Sequence, residues 1–468
     1  MKKGLIASVV LCLCLFLGGC HRMPEPGPGG LNAGDFVQVA LNGFDAADQA
    51  LDHNDYPWSM EVYQADTEGA QSFLYVGTWN RVQQWKGFQD HKPVYPEIRR
   101  YRPEISPTTW ERVLDTRDLD LSDSDRPHGF RIMKEYRNAS DGVKYLYAGG
   151  RGDKTTVWRS RTGEPGSWEL FYTYNREGSI RSMVIHKGLL YMNYLNDYGL
   201  LEDDGGPKNV IFATDGQDVE IVSDDGFGNK NNKGIFAIRS FNGYLYAGTH
   251  NPLQGAEVWK LDGPDPNEPP KRVIAHGGPR RLNEAAMTMY EWQDHLYVGT
   301  VANHILRMIG GLKPCDLLRI DKNDEWQTVA GPCSIGGERS GFGEKGNSYM
   351  WSMCEHNGWF YVGTYDIVTG LTYMLTHPRY LLGMMGIYLG GEKCLTGLQL
   401  IFEQGNSGGD LYKTQDGATW YCVTANGLGN HNNYGVRTMR SFEGRLFLGL
   451  SNPYDGLEVW ASEAGLAR

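Results

Sequence analysis

The sequence predicts an all-β fold, a seven-bladed β-propeller closed by an N-terminal strand that completes the last blade. Three observations predict it. One aromatic phrase recurs seven times, three other strand-like phrases accompany it in fixed order, and the strand missing after the final copy has a counterpart near the N-terminus. Composition agrees. The 468 residues include 61 Gly and 27 Tyr, the mark of short aromatic strands joined by tight turns.

The recurring phrase reads Leu74-Tyr-Val-Gly-Thr78, Leu146-Tyr-Ala-Gly-Gly150, Leu190-Tyr-Met-Asn193, Leu245-Tyr-Ala-Gly-Thr249, Leu296-Tyr-Val-Gly-Thr300, Phe360-Tyr-Val-Gly-Thr364 and Leu446-Phe-Leu-Gly-Leu450. A second phrase precedes each copy, starting at Trp58, Arg131, Arg181, Phe236, Met287, Trp351 and Arg437. A third follows, as in Val157-Trp-Arg-Ser160, Glu257-Val-Trp-Lys260 and Glu458-Val-Trp-Ala461, and is degenerate in the first unit near 98–101. The fourth is an apolar strand, opened by Trp at Trp110, Trp168, Trp326 and Trp420. Apolar alternation gives each phrase one buried face. Four such strands make one antiparallel sheet, and a ring of sheets covers every face. The fourth phrase follows only six of the seven units. Residues 36–44 resemble 420–428, so this segment would supply the missing strand and remove the open edge.

Ahead of the ring, Lys2 and Lys3 precede an apolar run over 5–17, too short to span a bilayer. The run ends in Leu17-Gly18-Gly19-Cys20, which resembles the lipobox of bacterial lipoproteins. The resemblance implies cleavage before Cys20 and acylation of the chain there, palmitate included. His21 stands where that family's inner-membrane retention signal has Asp, which implies the outer membrane. The chain therefore divides into a signal peptide (1–19), a lipidated Cys20 with a Pro/Gly-rich flexible tether (20–33) and one propeller (34–468). Insertions interrupt it at about 79–97, 193–209, 301–313 and 366–409.

The composite of Leu-Tyr-Ala-Gly-Thr, Glu-Val-Trp and Asp-Gly-x-x-Trp, best at 243–260 and 444–460, resembles the repeats of exported bacterial propeller lipoproteins. It implies the fold and little about activity. Residues 414–420 resemble a shortened Asp-box, a structural hairpin of sialidase-like propellers, and carry no catalytic assignment.

A net charge of -11 argues against nucleic acid as partner. Five cysteines lie beyond Cys20, in no zinc or redox spacing. Cys315 and Cys333 flank adjacent strands of the fifth blade and are candidates for a disulfide if the registers agree. No metal or other cofactor is expected.

Candidate binding residues gather on one face, the top, formed by the loops between blades and the loops between second and third strands. Arg131, Arg181 and Arg437 hold equivalent places on three innermost strands, with Trp58 and Trp351 on two others. Three converging guanidiniums at the channel mouth would take a carboxylate, sulfate or phosphate, or would pair with acids such as Glu177, Asp224 or Asp225. Asn251, Asn452, His431 and Asn432 would form a polar top rim, although Asn in such loops also closes turns. Six histidines map to the top (His53, His128, His250, His276, His304, His431), without metal-ligand spacing. Trp79, Trp85, Phe88 and Tyr95 offer an aromatic platform for a sugar. The apolar insertions at 301–313 and 380–389 would form a lid or a docking surface. The favoured reading is a lipid-anchored, non-enzymatic binding or scaffold module of the cell envelope, acting through its top face on a protein or glycan. The alternative is a glycan-active hydrolase or lyase at the top of the channel. A carboxylate pair on the axis with one raised pKa would favour the alternative.

Overall fold

A computed structural model describes residues 27–44, 54–80, 95–196, 210–223, 225–263, 268–302, 313–369 and 407–464. Among them, 28 strands group into seven antiparallel meanders of four. Blade 1 runs Tyr56–Gln64, Ser72–Trp79, Glu97–Tyr101 and Trp110–Asp115. Blades 2 to 6 start at the innermost strands Gly129–Arg137, Gly178–His186, Gly234–Phe241, Asn283–Trp292 and Asn347–His356. Blade 7 has Gly435–Phe442, Arg445–Ser451 and Glu458–Ser462 in sequence. Its outer strand is Phe36–Ala40, paired as Phe36↔Ser462, Val37↔Ala461, Gln38↔Trp460 and Ala40↔Val459. The ring is thus a β-propeller closed by its N-terminal strand. The strand is shorter than its sequence suggests: after Ala40 the chain turns, with Asn42 and Phe44 at positive φ.

The repeated phrases explain how blades fit together. The glycine of Leu-Tyr-x-Gly-Thr lies flat against the next blade. A Cβ there would come within 2.7 Å of Ile180 Cβ at Gly149, and within 2.7 Å of Ala286 Cβ at Gly248. At these two places only a residue without a side chain permits the approach. Blade 3 has Asn193 at this place, and its amide reaches across to donate to Ile235 O at 2.7 Å. The threonine of the phrase accepts from and donates into a buried network. In blade 5, Thr300 donates to Asn283 Oδ1 (3.1 Å), while Asn283 Nδ2 donates to Asp316 (2.8 Å) and to Gly277 O (2.9 Å). The same Asn, Thr and acid recur as Asn54/Thr78/Glu97, Asn232/Thr249/Glu257 and Asn347/Thr364/Asp410. Each set pays the hydrogen bonds of an interblade loop that would otherwise be buried unsatisfied.

Two expectations are corrected. The tether reaches no further than residue 26, because 27–33 pack under blade 6. Leu31 is 3% exposed and its N–H donates to Tyr361 Oη at 2.9 Å. Lys413 Nζ donates to Gly29 O, Leu31 O and Asn32 Oδ1 at 2.6, 2.9 and 3.0 Å. No bridge joins Cys315 and Cys333: the first is buried and the second exposed. The pairing slips between Leu317 and Leu318 and ends at Leu317↔Ala330, and Cys333 turns away at positive φ. The residues of the shortened Asp-box sit in a bottom hairpin of blade 6, where Asp416 accepts from Ala418 N and Thr419 N at 2.8 and 2.7 Å. Those bonds hold its carboxyl down at about 2.

Candidate functional site at the centre of the ring

Every innermost strand carries a β-bulge at the same place. The register slips between Pro57 and Ser59, Phe130 and Ile132, Ile180 and Ser182, Ile235 and Ala237, Ala286 and Thr288, Met350 and Ser352, and Val436 and Thr438. The residue passed over is in turn Trp58, Arg131, Arg181, Phe236, Met287, Trp351 and Arg437. A bulge re-aims one side chain out of the pleat. Seven bulges in register deliver one side chain per blade to the top of the central channel.

These side chains close on one another. Arg131 lies over the Trp58 ring (4.9 Å), Arg181 over Phe236 (4.5 Å) and Arg437 over Trp351 (5.5 Å). Each guanidinium therefore stacks on an aromatic face from an adjacent blade. Tyr56 meets Trp351 edge-on at 5.5 Å across the ring, and Trp79 stacks on Trp58 at 4.3 Å. Arg131 also donates to Ser179 Oγ (2.6 Å), and Arg181 Nε to Phe236 O (2.7 Å). Trp58 and Trp351 are 3% and 4% exposed, Arg131 and Arg181 7% and 8%. Arg437 is half-buried; burial and the nearby Arg131 lower its affinity for the proton. The five predicted residues are thus brought together, but as a plug rather than as an open mouth. Phe236 and Met287 complete it. Sequence reasoning passed them over, although they open the same phrase as the other five.

The predicted rim divides. Asn251 and Asn452 are fully buried and close turns: Asn251 accepts from Gln254 N at 2.8 Å and donates to Asn232 Oδ1 at 3.0 Å, and Asn452 accepts from Tyr454 N at 3.0 Å and donates to Asn433 Oδ1 at 3.0 Å. Asn432 stays half-exposed and donates to Asp455 at 3.0 Å, and His431 is exposed with Nδ1 against Ser407 O. His250 packs on Phe236 at 5.1 Å; burial and Arg181 hold its imidazole down at about 4. Tyr95 lies beside Arg126 and not in a platform with Trp79. Asp224, Trp85, Phe88, His53, His304 and the apolar parts of the two lids lie outside the described residues.

A raised carboxylate pair exists, but not on the axis. Asp366 and Asp410 lie at the root of the blade 6 insertion, beside a cavity of about 10 Å³ that Glu344 and Asn347 also line. Asp366 accepts from Val368 N and Gly408 N at 2.6 and 2.9 Å, and Asp410 from Asn347 and Tyr412 at 2.7 and 2.9 Å. Burial pushes their carboxyls up to about 7 and about 8. An unfolded aspartate titrates near 3.9. The folded chain therefore binds more protons between those values. The pair's stabilisation is complete in acid and is lost as pH rises through about 7 and 8. The melting temperature should fall from about pH 4 to about pH 8 and level off above that, and Asp410→Asn should flatten the fall while keeping both hydrogen bonds. An unchanged slope in that variant would assign the pH dependence to other groups.

No protein-family model matches the chain, and no curated protein matches it in sequence. Among solved structures it is similar to the WD40 β-propeller domain of Doa1, at 10% identity and a TM-score of 0.45, over 92% of this chain and 97% of that one. It is also similar to a prolyl endopeptidase (10%, TM-score 0.41, 88% of this chain and 51% of that one). A puromycin hydrolase gives 11%, a TM-score of 0.45, and coverage of 94% and 54%. The chain spans about half the length of those last two proteins. The propeller assignment rests on the strand pairing itself.

Proposed function

We propose that the chain is a binding or scaffold module of the cell envelope, anchored by a lipid on Cys20 and engaging a protein or a glycan with its top face. The observation that carries this reading is the plug. Seven bulged side chains, locked by three guanidinium–aromatic stacks, close the channel at the top. The top face then becomes a continuous surface on a rigid base, suited to presenting loops to a partner. The charged and apolar leader, ending at Cys20, supports the anchor.

The face is tested by site-specific photo-cross-linking in cells of the source bacterium. Leu253 is 73% exposed in a top loop of blade 4, and Ile105 is 64% exposed in a bottom loop of blade 1. A photoreactive residue at 253 should give discrete adducts, and one at 105 should give none. Adducts from 105 alone, or from neither, would dismiss the top face. Cys20→Ala should move the protein from the membrane pellet to the soluble fraction; retention in the pellet would dismiss the lipid anchor.

A further inference from the structure

Below the plug the channel has a second tier. Three residues past each bulge, one side chain pairs with the aromatic residue of the recurring phrase: Glu61↔Tyr75, Lys134↔Tyr147, Val184↔Tyr191, Arg239↔Tyr246, Tyr290↔Tyr297, Cys354↔Tyr361 and Arg440↔Phe447. This tier holds three cations and one carboxylate, inside a chain whose net charge is -11. Arg239, on blade 4, interacts electrostatically with Arg440 and Glu61, on blades 7 and 1. Those blades stand across the ring, so all three side chains reach the axis.

The charges do not balance. Arg440 is hydrogen-bonded to Glu61, which engages the one acid of the tier. Arg440 Nε is buried and unbonded among the described residues. Arg239 lies over the Tyr290 ring at 5.2 Å and makes no ion pair among the described residues. The other acid acting on it, Glu291, is exposed. The tier is also solvent-accessible: the Arg440 side chain is 32% exposed, and Lys134 and Arg239 are half-buried. With the plug closing the top, the tier opens to solvent from below.

We propose that the lower half of the channel is an anion site, in which Arg239 and Lys134 hold a small oxyanion or carboxylate beneath the aromatic plug. A guanidinium offers two parallel N–H donors to such a ligand, and an ammonium adds a point charge. This site is separate from the top face and does not rest on that reading.

The test is isothermal titration of the purified full chain with sodium phosphate, sodium sulfate and sodium acetate, against sodium chloride at matched ionic strength. One saturable site per chain is expected for at least one of the three oxyanions. Arg239→Gln should weaken it by about tenfold or more, and Lys134→Ala should weaken it as well. Lys322→Ala, on an exposed bottom turn, should leave it unchanged. Circular dichroism verifies folding, and if Arg239→Gln fails to fold, Lys134→Ala decides. No saturable binding of any of the three anions, or binding unaffected by the folded channel variants, would overturn the site.

Discussion

Removal of residues 27–41 should destroy the single cooperative melting transition of the chain. The segment supports three blades at once. Phe36 and Val39, 5% and 1% exposed, belong to two different interblade cores. Val39 O accepts from the indole of Trp110 on blade 1 at 3.0 Å. Leu31 and Lys413 tie the preceding turn to blade 6. Without the strand, Glu458–Ser462 becomes an open edge and two cores lose a wall. The expected result in calorimetry is a melting temperature lower by more than about 10 °C, or a broad transition with aggregation. Val39→Asp should act in the same direction by about 3–5 kcal/mol, since it places a carboxylate in an apolar core. A sharp, unshifted transition in the deletion would show that the ring does not need this strand.

Trp351→Ala should be the most damaging single substitution in the plug, at about 3–5 kcal/mol. The Trp351 ring touches Tyr56, Tyr365 and Tyr434 at 5.5, 5.0 and 5.9 Å and lies under Arg437. Truncation would leave a hole bordered by blades that cannot move independently. Arg437→Met offers the contrast. It removes a charge that stacks on rings and meets no carboxylate among the described residues, and it retains the volume. Such a replacement should cost less than about 1 kcal/mol or stabilise the fold. Denaturant melts of the two variants measure both values. A large loss from Arg437→Met, equal to that of Trp351→Ala, would mean that the guanidinium has an anionic partner at the top of the channel.

The strand phrases made the ring legible because each blade is written in the same order, and the absent outer strand of blade 7 pointed to residues 36–44. The seven plug residues were legible as a position but not as a structure. A bulge adds one residue to a period of two, so Trp58 and Ser59 break an alternation that sequence reading depends on. Nor could the sequence tell whether Arg131 meets an acid or the face of Trp58, because both partners come from other blades. The lower tier was missed for the same reason: Lys134, Arg239 and Arg440 look like ordinary polar residues within their strands, and only ring closure brings them together. The tether was drawn too long because Gly29 and Gly30 read as flexible. In the fold their lack of side chains lets the chain lie on the Trp359 ring.

The closing strand also sets the order of events during biogenesis. Phe36 and its partner Ser462 lie on opposite sides of six complete blades in the sequence. Each blade from 1 to 6 can form from neighbouring sequence, but the seventh cannot be finished until residues 458–462 meet 36–40. Lys413 and Gly29, 384 positions apart, must wait in the same way. Entropy penalises so long a closure only logarithmically, so the cost falls mainly on time. During that interval the chain carries two unpaired strand edges, one at each end, and is open to pairing with a second copy. The chain is therefore most vulnerable just before the ring closes, and a chaperone that shields residues 36–40 until then would raise the yield of closed rings.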